Sequence, residues 1–336
     1  MRGMREYVHG LAGTVRREVV AARHQAASRL VRGHSPGGDA QFGLDDVAEA
    51  AAWKYIVGQD LPVALYSEDG GLQHHGHAPE HLLVVDPIDG TRPAVAGLGL
   101  STVSVAVAPL TGAPTIADVS HALLLELDTG ASLYTERGSE GIEALGYDRT
   151  VPCLSSTAEL DRMMWSLEFN GHPAALMTRA YGHLIDRSAN TGGVFVFNSA
   201  TFSISRLITG QLDAYVDIGN RLLREDPALL PEFRRVGNGA VLHLFPYDIA
   251  AAVLLAEQAG VTITDAFGKP LGDTVLTDLG VDNQRSCVAA STPELHRALL
   301  EAIRWHPEPA TDPPRTVAEP PRTPAGPTST AAGPTG

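Results

Sequence analysis

The stretch at residues 81–91, HLLVVDPIDGT, limits what the rest of the chain can do. Residues 82–85 have the length and branching of a buried strand. The run ends in Asp86, and Pro87 is placed to stop a ladder or a helix from continuing. A second carboxylate follows at Asp89, ahead of Gly90 and Thr91. The pattern is a strand that delivers two acids to a turn, and buried acids need a positive partner. At an effective dielectric near 20, two carboxylates about 4 Å apart repel by roughly 4 kcal/mol, a large share of a domain's net stability of about 5–15 kcal/mol. The acids must stand apart, share a proton or hold metal, and a divalent cation is the simplest solution.

The 336 residues suffice for one large or two modest domains, and 44% hydrophobic with 19% charged residues describes a soluble globular protein. A net charge of −14 argues against nucleic acid or an anionic membrane as the main partner. It leaves room for a small phosphorylated substrate, because metal ions can supply positive charge locally. No stretch reaches the roughly 18 apolar residues of a membrane span, and the opening MRGMREYVHG lacks the apolar region of a signal peptide, so a cytoplasmic location is expected. Cys153 and Cys287 lie far apart without a CxxC pattern and read as buried reduced thiols, with a single disulfide as the alternative.

Along the chain, apolar residues from Val8 to Leu30 recur at steps of three and four, which predicts a helix over 4–32. A second helix is expected from Asp45 or Asp46 to about Val57, with Glu49 in a capping-box arrangement after Asp46. Residues 63–66 form a short apolar segment that again ends in acids, Glu68 and Asp69. Strands over 101–109, 115–126 and 131–135 suggest an antiparallel meander. Beyond residue 150, strands (163–169, 193–197, 212–218, 261–264, 287–290) alternate with helices (174–185, 199–209, 248–258, 293–305), which marks an α/β half. This divides the chain into an α+β half over 1–150, an α/β half over 151–305, and a Pro-rich tail over 306–336 that cannot bury enough apolar surface to order itself.

Three acidic sites stand out: Glu68 with Asp69, Asp86 with Asp89, and Asp248 at the start of a helix. Taken alone, Asp248 reads as a helix cap and Glu68 as a loop acid. In their order and contexts, SED, DPIDGT and YDIAAA resemble the motifs of the inositol monophosphatase family of magnesium-dependent phosphatases, and NSATFSISRLITGQLDAYVDIG and ASTPELHRALL extend the likeness. The resemblance implies an α/β fold layered as an αβαβα sandwich, with the metal site between its halves. It implies two to three Mg2+ ions held by Glu68, Asp86, Asp89, Asp248 and the carbonyl of Ile88, oxygen ligands that suit magnesium. It assigns activation of the attacking water to Glu68 and Thr91, with Asp86 in the catalytic set. Phosphate and substrate binding fall to Gly90, Thr91, Ser199, Ala200, Asp217 and Asp248. Asp69 matches the second acid of the first pair, and Asp45 an acid supporting a weaker metal, with Asp46 equally available by register.

The likeness has gaps. TRPAVAG follows the DPIDG core where many members have Asn and an aromatic, Tyr247 replaces a usual Trp, and Asp217 stands where inositol-specific members carry Glu. About two dozen residues, 220–245, intervene before Asp248. They read either as a surface elaboration or dimer contact, or as a device whose Arg221 and Arg224 bind a second anionic group. His74, His75 and His77 read as a solvated loop rather than a metal site. The expectation is a phosphomonoesterase acting on a cyclitol or sugar phosphate. Alternatives are a sugar bisphosphatase, a 3′-phosphonucleotide phosphatase, or a non-catalytic ligand-binding member. The family's habit also implies a possible homodimer.

Overall fold

The structure is a computed structural model that describes residues 3–306. All but His306 of the Pro-rich tail expected over 306–336 lies outside the described residues. Chain order begins with α1 (Met4–Ala22), β1 (Val31–His34), β2 (Ala40–Phe42), α2 (Gly43–Val57), β3 (Val63–Ser67), β4 (Gly71–His75), β5 (His81–Asp89) and α3 (Thr91–Ala96). The first half ends with β6 (Thr102–Pro109), β7 (His121–Glu126), β8 (Ser132–Glu136) and β9 (Glu143–Leu145). There follow β10 (Met164–Leu167), α4 (Ala174–Ser188), β11 (Gly193–Phe195), α5 (Ala200–Ile208), β12 (Ala214–Asp217), α6 (Gly219–Glu225) and α7 (Leu230–Val236). The last elements are α8 (Pro246–Ala259), β13 (Thr262–Thr264), β14 (Cys287–Ala290) and α9 (Pro293–Ala302).

Five layers result. β5 shows why: its residues alternate between two apolar faces, so the strand reads as one continuous apolar run. Leu83 and Val85 pack with α1 and α2, while Leu82 and Val84 pack with α5 and α8. The seven-stranded sheet, ordered β4-β3-β5-β6-β7-β8-β9, thus lies between two helical layers. A five-stranded sheet, ordered β11-β10-β12-β14-β13, receives the other side of α5 and α8 through Tyr215, Ala289 and Ile263. Its far face, with Trp165, Val216 and Val288, packs on α4 and α9. The expected αβαβα sandwich is what forms.

Several local expectations change. α1 stops at Ala22, because Ala26 and Leu30 continue the helical spacing but are exposed and have no surface to pack on. The strand expected over 115–126 starts only at His121, since the Asp118 carboxylate accepts from the Thr115 N–H at 2.8 Å and closes a 3-10 turn at Ile116–Asp118. The first half is also more than a meander, because β3 pairs parallel with β5 and antiparallel with β4. That edge strand contains His74 and His75, so of the histidine run only His77 lies in a loop. Both cysteines are free; Cys287 is buried as expected, whereas Cys153 is exposed.

Candidate metal and phosphate site

Pro87 does not end β5. The strand reaches Asp89 with a bulge: Asp86 faces Ser104 and Asp89 faces Thr102, so three steps on β5 match two on β6. In a regular strand, residues three apart point to opposite faces, and one extra residue removes that alternation. Asp86 and Asp89 therefore meet. Their carboxylate oxygens and one of Asp248 lie within 4.8 Å of one another. Gly90 then turns with φ 89°, and a Cβ there would come 2.9 Å from the Ser199 Cβ, so only glycine fits.

Each acid is held from a different direction. Asp86 Oδ1 accepts the Ile88 N–H at 2.9 Å. Asp89 Oδ2 accepts the Ser199 hydroxyl at 2.7 Å, the Thr201 N–H at 2.6 Å and the Thr201 hydroxyl, which seats it at the N-terminus of α5. Asp248, in the first turn of α8 after Pro246, accepts the Phe245 N–H on Oδ2 at 2.7 Å. The helix-start reading of Asp248 and its place in the acidic cluster therefore hold together, because the bond uses one oxygen and leaves the other. Glu68 follows the end of β3 and lines the same cleft. Desolvation, then repulsion from neighbouring carboxylates, pushes Glu68, Asp86 and Asp248 well above the usual carboxylate range. Burial also raises Asp89, against the lowering effect of its Thr201 and Ser199 bonds.

No basic side chain among the described residues bonds to these four acids. The donor set is all hard oxygen and dense, and it fits a divalent cation such as magnesium.

Beside them, Thr91 Oγ1 donates to Asp45 Oδ1 at 2.9 Å and lies 3.1 Å from the Ile88 carbonyl. Asp45 is buried and also accepts the Phe42 N–H, whereas Asp46 is exposed, so the structure brings Asp45 and not Asp46 to the site. Burial pushes the Asp45 acid up to about 6. Glu49 is no capping residue: it accepts from the Ser67 hydroxyl at 2.8 Å and the Asp69 N–H at 3.1 Å. Asp69 does not line the main cleft but shares a side crevice with Asp45, Glu49 and Glu68.

The cleft encloses about 650 Å3 of space open to solvent and draws residues from both sheets. Ser199 and Ala200 line it as expected, but the Ser199 hydroxyl is committed to Asp89. Asp217, at the end of β12, is 2% exposed and accepts the Gly219 N–H at 3.3 Å. Tyr247 lines the cleft and stacks on Phe245 with ring centroids 5.4 Å apart.

Arg221 and Arg224, expected to meet a second anion, do not line this cleft. The Arg221 guanidinium lies 3.7 Å from the Trp305 ring centroid, and it donates to Glu225 Oε1 and the Ala266 carbonyl. Arg224 donates to the Asp282 carbonyl at 2.6 Å. What the 220–245 segment does bring is Phe233, fully buried and edge-on to His172 and His243, with centroids 6.0 and 5.2 Å away.

Other cleft residues escaped the sequence reading: Asp39, Arg92, Glu168, Asn170 and His243. Asp39 accepts both terminal nitrogens of Arg92, at 2.7 and 3.0 Å, and Asn170 Nδ2 at 3.1 Å. Glu168 carried a usable signal, since it follows an apolar strand just as Glu68 does.

Fold and site together define a phosphoric monoester hydrolase of the metal-dependent kind. A profile of the inositol monophosphatase family matches residues 12–308. The fructose-1,6-bisphosphatase/inositol-1-monophosphatase of Methanothermobacter thermautotrophicus is 26% identical over 270 residues, which cover 77% of this chain and 82% of that protein. Its counterpart from Archaeoglobus fulgidus is 24% identical over 299 residues, 88% of this chain and 95% of the other. Among solved structures, the extragenic suppressor protein suhB from Bartonella henselae superposes with a TM-score of 0.64 at 18% identity, over 89% of this chain and 97% of that one. The chain belongs to the inositol monophosphatase family. No helix among the described residues is long and apolar enough to cross a membrane.

Proposed function

We propose that this protein is a magnesium-dependent phosphomonoesterase that hydrolyses a small phosphorylated polyol, a cyclitol or sugar phosphate, with water as the nucleophile. The observation that carries the reading is the convergence of Asp86, Asp89 and Asp248 within 4.8 Å, with no basic side chain among the described residues bonded to them. Glu68, these three aspartates and the Ile88 carbonyl would hold the cations. A bound divalent ion there neutralises phosphate charge and makes a water more acidic.

The chain's own residues supply the rest. Thr91 gives its single hydroxyl proton to Asp45, so its lone pairs remain to accept from a water and fix the direction of attack. Asp45, raised to about 6, is matched to accepting a proton close to neutral pH. Gly90 and Thr91, at the turn into α3, offer their N–H groups to phosphate oxygens. Phe245 and Tyr247 form an apolar wall that limits water around the leaving alcohol.

The test is phosphate release from a panel of cyclitol, sugar and nucleotide phosphates, with magnesium and with EDTA. Magnesium-dependent release from at least one small polyol phosphate is expected. No release from any ester with metal present would favour a member that binds phosphate ligands without turning them over.

A further inference from the structure

We propose that the part of the cleft formed by Glu168, Asp217 and His243 is a cation subsite, and that the substrate is a phosphate monoester whose alcohol carries an ammonium group. The inference rests on the phosphatase reading and adds a substrate class to it.

The three residues present acceptors and no fixed donor. Glu168 receives the Phe169 and Asn170 N–H groups on Oε1, at 3.0 and 3.1 Å, and its Oε2 has no partner among the described residues. Among the described residues Asp217 has only the Gly219 N–H on Oδ1, with His172 Nε2 3.8 Å away. His172 Nδ1 faces the Glu168 carbonyl at 3.5 Å, and its Nε2 lies 3.3 Å from His243 Nδ1. With the His172 proton assigned to Nδ1, its Nε2 accepts from His243 Nδ1 and His243 Nε2 is an acceptor. That nitrogen has no partner among the described residues, although the ring is only 5% exposed and lines the cleft. A buried acceptor without a donor is costly, and a ligand that brings donors removes the cost.

Charge selects among donor-bearing ligands. Arg92 is the only Lys or Arg lining the cleft among the described residues, and Asp39 already engages both of its terminal nitrogens. A second phosphate would thus face Glu168 and Asp217 without a free cation. A hydroxyl could donate to one acceptor, whereas an ammonium brings three donors and the missing charge. Burial raises both acids to about 7, and the N–H groups of Phe169, Asn170 and Gly219 offset only part of that cost.

The experiment compares isosteric pairs at pH 7 with magnesium: serinol phosphate against glycerol 1-phosphate, and glucosamine 6-phosphate against glucose 6-phosphate. A charge-assisted hydrogen bond is worth about 1.5–3 kcal/mol, so kcat/KM should favour the amine of at least one pair by roughly 10- to 100-fold. That ratio should fall toward one in Asp217→Asn and Glu168→Gln. Ratios at or below one for both pairs in the unaltered protein, or a ratio unchanged in both variants, would overturn the proposal. Calorimetric binding of the same pairs separates this idea from its parent. Tighter amine binding without any phosphate release keeps the subsite and removes the hydrolytic reading, and equal binding without release removes both.

Discussion

Replacing Asp89 by Asn probes the acidic cluster with little disturbance of the fold. The Ser199 hydroxyl, the Thr201 N–H and the Thr201 hydroxyl all donate to Asp89 Oδ2, so an amide oxygen can take that place. The amide nitrogen then points toward Asp86 and Asp248 as a donor. At a separation of 4.8 Å and an effective dielectric near 20, each pair of ionised carboxylates repels by about 3.5 kcal/mol. The raised acids relieve much of this by taking up protons, so the net gain in EDTA at pH 8 should be about 1–3 kcal/mol. With an unfolding entropy near 2.1 cal/mol/K per residue, that corresponds to a melting temperature roughly 2–5 °C above the unaltered protein. With magnesium at about 100 times its dissociation constant the variant's lead should shrink or reverse, because the unaltered protein gains about 2.7 kcal/mol from binding and the variant gains less. Phosphate release should drop by at least about 100-fold. A variant that melts several degrees lower in EDTA would show Asp89 to be chiefly an anchor for α5. Near-normal turnover would refute its place among the ligands.

Other outcomes follow from the same geometry. Asp45→Asn should lower kcat by about 100-fold or more and remove an acid limb at or below pH 6, read from a pH–rate profile with magnesium present. Arg221→Ala should lose about 1–2 kcal/mol in a denaturant titration with kcat/KM unchanged for mono- and bisphosphates, because its guanidinium stacks on Trp305 outside the cleft. Phe233→Ala should cost about 3–5 kcal/mol and raise KM more than it lowers kcat, since it removes the ring against which His172 and His243 pack. Asp217 and Glu168 have folded values raised to about 7, so the folded protein holds protons that the unfolded chain releases between about pH 4 and 7. Metal-free protein should therefore lose stability as pH rises through that window, by a few kcal/mol at most, and Asp217→Asn should flatten the loss in thermal melts at pH 5 and 8.

The acidic centre was legible in the sequence because its members sit at strand ends and in a helix's first turn, where local pattern fixes their direction. Asp86 and Asp89 share one strand, and the bulge that brings them together lies between them. The five layers were readable from alternation of strand and helix and from the doubly apolar β5. The far part of the cleft was not. Asp39 comes from the loop between β1 and β2, Asn170 from the connection into α4, and His243 from just before α8; only the tertiary fold joins them. The arginines of the 220–245 segment show the opposite failure. A charge visible in sequence suggested an anion site, but besides Glu225 the partners of Arg221 include Trp305 and the Ala266 carbonyl, 84 and 45 residues along the chain. The overlong first helix has the same origin, since spacing continued where no packing surface did.

Hydrolysis at this site requires that the acidic cluster bind its ion. Magnesium binding measured by calorimetry, with phosphate release followed over the same concentrations, tests this directly. The prediction is saturable binding to the metal-free protein, release that rises over the same range and vanishes in EDTA, and loss of both in Asp86→Asn. Turnover that persists in EDTA, or binding that is unchanged in Asp86→Asn, would contradict it.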